Sequence, residues 1–255
     1  MNAVINWLLE DMVPEIKYRT LTELLEIPRD EPEVKKSYER LLHSNRLALV
    51  MDKFNSNNTW EHINALLALT EFGLTRLDVS IDKHIERTIK NLRTGMKCAK
   101  VLLLRNLVSL GYYEHPWVQE QITAVFSTVR QDGTVKCLDK SKKTNDSKLP
   151  DMGCYRQTTT YLLLGAELKK IGITLPQFEL LKKFYMDHHV LFHSDTPEKI
   201  IIKDMSGTFY PIDHVHMGLQ MIMYGLSLEH VLRSPKDRKG ILCHAYNYNS
   251  LLNND

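Results

Sequence analysis

The chain is poor in cysteine, holds no long apolar run and carries almost no net charge, and each shortage removes a class of protein. No window approaches the roughly 18 consecutive apolar residues that cross a bilayer, so no membrane span is expected. Lys and Arg number 33 and Asp and Glu 31, a net charge of +2. The basic residues are scattered, which gives no electrostatic case for a nucleic-acid partner. The first residues, Met1 to Asp11, reach Glu10 and Asp11 too soon for a secretory leader, and the expected location is the cytoplasm. There, the four cysteines Cys98, Cys137, Cys154 and Cys243 read as thiols or metal ligands rather than disulfides. Neither G-x-x-x-x-G-K-[ST] nor G-x-G-x-x-G occurs, so a phosphate-cradling loop has no support. Without G-x-S-x-G there is no nucleophile elbow either. No Pro/Gly/Ser-rich linker interrupts the chain, and a single domain over 1–255 is expected.

What is present is a recurring phrase: a large apolar residue, three residues, Gly, then another apolar residue. The copies are Leu69-Gly73-Leu74, Leu107-Gly111-Tyr112, Leu168-Gly172-Ile173 and Met221-Gly225-Leu226. Each follows an apolar helical stretch, and Gly in the left-handed conformation is the usual stop for such a helix. Stacked helical hairpins follow from the repetition. Thr59 is expected to cap one helix and Asp78 to begin its partner, whose Ile81, Ile85, Ile89 and Leu92 form a narrow stripe. The stretches Cys98 to Leu110 and Cys154 to Lys170 are apolar on most sides, whereas those opening at Pro116 and Pro176 carry a polar face. Enclosed and outer helices therefore alternate, which suggests a closed ring or a curved solenoid. An extended piece over Lys199 to Met205 and an inner helix from Pro211 to Tyr224 complete the pattern, and Asp139 to Lys148 reads as a surface loop.

The segment LVSLGYYEHPWVQEQITAVFSTVRQDGTVKC, beginning at Leu107, resembles a repeat of the terpenoid-cyclase and protein-prenyltransferase superfamily. The matching features are an inner helix ending in L-G-Y, a Pro-initiated second helix and then a Q-D-G turn at Gln131-Asp132-Gly133. The resemblance implies an all-α fold, an α/α toroid of inner and outer helix rings around an apolar cavity for an isoprenoid-like ligand. The chain supplies about five hairpins, so the ring is expected to be incomplete or closed by the tail. The cyclases' D-x-D-D acid motif is absent and an aromatic residue does not follow Asp132-Gly133, which argues against cyclase chemistry.

In such a toroid the N-termini of the inner helices meet at one end. Cys98, Cys137, Cys154, His214 and His216 then form a set with the donor types of a tetrahedral zinc site. The protein prenyltransferases hold zinc on D-x-C-Y and a later His. The corresponding residues here are Asp151-Met152-Gly153-Cys154-Tyr155, one residue longer, with His214 and His216 lying 60 and 62 residues past Cys154. Tyr18, His62, Tyr155, Tyr161 and Tyr210 are the expected cavity lining. A second reading stands beside this one: the cysteines and aromatics are packed core, as such residues usually are. Counting back from each helix-ending Gly also sets Cys154 roughly 10 Å from His214 along the axis. The function expected is a prenyltransferase-like toroid with zinc and an apolar ligand. The alternative is a non-enzymatic module that binds a protein or apolar partner on the cavity or concave face.

Overall fold

The computed structural model describes residues 3–92, 97–136, 154–188, 190 and 219–227. Every regular element among them is a helix, so the chain is all-α. None of these helices is long and apolar enough to cross a membrane. The chain divides into two compact units, Met1–Thr94 with Asn106–His115 and Gly95–Arg105 with Pro116–Asp255. The expected extended piece over Lys199 to Met205 and the loop over Asp139 to Lys148 lie outside the described residues.

The first unit opens with α1 (Ala3–Leu8) and α2 (Pro14–Arg19). The helix changes character at Thr20, where a π-helical turn runs Thr20–Leu24. Two β-branched residues accompany the widening. The Thr20 hydroxyl donates to the Ile16 carbonyl at 2.7 Å and the Thr22 hydroxyl to the Tyr18 carbonyl at 2.9 Å, back-bonds of the kind that disturb a regular helix. Pro32 and Glu33 open α3 (Pro32–Leu42), as first-turn Pro and an N-terminal acid should. Ser44 caps α4 (Asn45–Asp52), accepting from the Leu47 N–H at 3.1 Å. A 3-10 turn, Lys53–Asn55, follows it.

α5 (Thr59–Glu71) is capped by Asn58 and not by Thr59, which is its first helical residue. The Asn58 side chain accepts from the Trp60 N–H at 3.0 Å. α6 (Asp82–Lys90) begins four residues later than expected, because Asp78 is occupied elsewhere. Its carboxylate accepts from the Thr75 N–H at 2.6 Å and from the Tyr38 hydroxyl at 2.5 Å, which holds a turn ahead of the helix.

The division between the units falls inside α7 (Lys97–Ser109). The second unit contains α8 (Pro116–Phe126), α9 (Tyr155–Lys170), α10 (Pro176–Asp187) and α11 (Leu219–Ser227). The central element is α9. Tyr155 and every residue from Gln157 to Leu168 are buried, while α10 and α11 pack against it. The outer character of α10 is equally clear, since it buries only Phe178, Leu181, Phe184 and Tyr185, a stripe at helical spacing.

Three copies of the glycine phrase are the same structure. Leu74, Tyr112 and Ile173 donate their N–H groups to the carbonyls of Leu69, Leu107 and Leu168 at 3.2, 2.8 and 3.0 Å. Gly73, Gly111 and Gly172 donate to Thr70, Val108 and Lys169 and have φ of 73°, 91° and 84°. This is the Schellman motif, and the two apolar residues of the phrase are those the motif brings together. The fourth copy is different. Gly225 lies within α11, where an added Cβ would stand 3.1 Å from the Leu162 side chain on α9. It serves helix packing, so it does not end a helix. The 10 Å offset between Cys154 and His214, counted from Gly225 as a stop, loses its basis.

Candidate ligand site at the start of α9

The site begins at the Gln131-Asp132-Gly133 turn. The Asp132 carboxylate accepts from the N–H and hydroxyl of Thr134 at 2.9 and 2.7 Å. Arg130 donates its N–H to the Thr134 carbonyl at 2.9 Å, closing the turn. Gly133 has φ of 77°, and an added Cβ would fall 2.1 Å from the Leu180 carbonyl oxygen, so both conformation and space demand glycine. The turn delivers Thr134 and Val135, both buried, to the first turn of α9. There the Val135 N–H donates to the Thr158 hydroxyl at 3.2 Å, and the Val135 carbonyl accepts from the Cys154 N–H at 2.7 Å.

Cys154 is the N-cap residue of α9, half-buried, and its side chain makes no cap hydrogen bond. Tyr155 follows, packed edge-on against Tyr185 at 5.1 Å and beside Phe184 at 5.5 Å between ring centroids. Burial pushes the Tyr155 hydroxyl well above the ordinary phenol range, and Tyr185 adds to the effect. The Tyr185 hydroxyl is raised by burial as well, although its bond with Thr159 opposes the shift.

Polar side chains then run down the buried helix, and most are matched. The Thr158 hydroxyl donates to the Cys154 carbonyl at 2.9 Å and the Thr160 hydroxyl to the Gln157 carbonyl at 2.7 Å. Thr159 shares a 2.8 Å hydrogen bond with the Tyr185 hydroxyl, and Tyr161 shares one of 3.0 Å with Thr128. Two atoms break the pattern. The Tyr155 hydroxyl and the Gln157 side-chain carbonyl are buried with no hydrogen-bond partner among the described residues. An unmatched buried polar group costs about 1–3 kcal/mol, so two within one helical turn are a place to look for a bound polar group or water.

The expected site residues distribute as follows. Tyr18 and His62 belong to the first unit, and Tyr155 and Tyr161 to the second. Tyr18 is buried against Tyr38, with ring centroids 5.5 Å apart. Both ring nitrogens of His62 are engaged, Nδ1 with the Thr88 hydroxyl at 2.9 Å and Nε2 with the Ser56 carbonyl at 2.8 Å. Cys98 is the second residue of α7. Cys137, Tyr210, His214 and His216 lie outside the described residues, and no group of three metal-binding side chains occurs among the described ones. Gln157, Thr159 and Tyr185 are additions to the expected set. The run Gln157-Thr158-Thr159-Thr160-Tyr161 inside an otherwise apolar inner helix is the sequence signal for the first two.

No protein-family model, curated protein or solved structure matches the chain.

Proposed function

We propose that the chain is a prenyltransferase-like α/α toroid that binds zinc beside a ligand site at the N-terminal ends of its inner helices. The observation that carries this reading is the Cys154 to Val135 hydrogen bond. It ties the N-cap of α9 to the strip of chain that reaches Cys137 two residues later. Cys98 and Cys154 both belong to the second unit. Cys98 stands in the first turn of α7 and Cys154 at the cap of α9, and helix N-termini favour the thiolate form that ligates metal. A Cys and His donor set fits zinc. Bound there, zinc would act as a Lewis acid or hold a thiolate ready for transfer. The chain's own part is to present Tyr155 and Gln157 as hydrogen-bonding groups beside an apolar, aromatic wall that suits an isoprenoid-like ligand.

The second reading, a binding module without chemistry, is favoured by those same two side chains, which need no metal to hold a polar group. Cobalt titration of the metal-stripped full chain separates the two. A thiolate-to-cobalt charge-transfer band that disappears in Cys154→Ser supports the metal reading. Absence of the band, with the folded chain still binding an isoprenoid alcohol, supports the module.

A further inference from the structure

We draw no further inference here: the strongest candidate, the exposed apolar face that Val4 and Trp7 form on α1, carries none, because nothing among the described residues shows what covers it.

Discussion

The N–H of Cys154 donates to the carbonyl of Val135 across 2.7 Å, and the Val135 N–H returns to α9 through the Thr158 hydroxyl at 3.2 Å. Both backbone groups of Val135 are thereby fastened to the start of a buried helix. Thr158→Val removes the second bond without a large change of volume and leaves the Val135 N–H unmatched. It should cost about 1–3 kcal/mol in urea denaturation. On the proposed function it should also weaken zinc about tenfold in chelator competition, an effect in the range known for groups that orient metal ligands.

The two kinds of glycine should respond differently to a methyl group. Gly73→Ala and Gly172→Ala force a side chain into positive φ, although an added Cβ meets nothing closer than 3.5 Å at the first and nothing within 4 Å at the second. Each should cost about 1–2 kcal/mol from backbone strain alone. Gly225→Ala gains helix propensity of about 1 kcal/mol and asks the Leu162 side chain to give way slightly, so it should be near neutral. Denaturation midpoints of the three variants check the assignment of caps and packing glycine.

Much of the fold is legible in the sequence because its punctuation is local. Pro32, Pro116 and Pro176 each open a helix, and the Leu-x-x-x-Gly-apolar phrase writes out both partners of the Schellman bond. What fails to read is set by contacts from afar. Asp78 looks like a helix start but is drawn away by Tyr38, 40 residues earlier. Gly225 looks like a stop, yet its neighbour is Leu162 on another helix. The π turn has no pattern of its own, since Thr20 and Thr22 fit an ordinary helix on paper. At the candidate site, Cys154 and Tyr155 are readable from their position at a helix start. The unmatched state of Gln157 depends on packing, which no spacing rule reports.

Acid should weaken the first unit through His84. Burial holds this imidazole below its ordinary range, with His62 and Arg87 adding repulsion. As pH falls through about 6.5, the unfolded chain takes a proton before the folded one does, so stability declines with falling pH below that point. Above it both states are neutral and the contribution is flat. His84→Phe keeps the stack on Phe54, whose centroid lies 4.8 Å away, and should flatten the stability profile between pH 5 and 7. Asp11 acts lower on the scale. Hydrogen bonds from Lys17 and Arg40 hold it at about 2, so its contribution, present above the ordinary Asp range, is lost only as pH falls through that value.

The buried pair Arg105 and Glu167 gives a further test of the second unit's core. The two lie 3.1 Å apart at 5% and 3% exposure, and Lys170 takes the other Glu167 oxygen at 3.1 Å. Glu167→Met breaks this buried ion pair and should cost about 3–5 kcal/mol. The double variant with Arg105→Met should recover most of that loss in urea denaturation.

The most direct test of the central claim is the zinc content of the purified full chain, compared with Cys154→Ser and with Cys243→Ser as a control. About one zinc per chain is expected in the parent and the control, falling to near zero in Cys154→Ser while the helical content stays unchanged. A metal-free parent after expression in zinc-replete medium, or full retention of zinc by Cys154→Ser, would contradict a metal site at the start of α9.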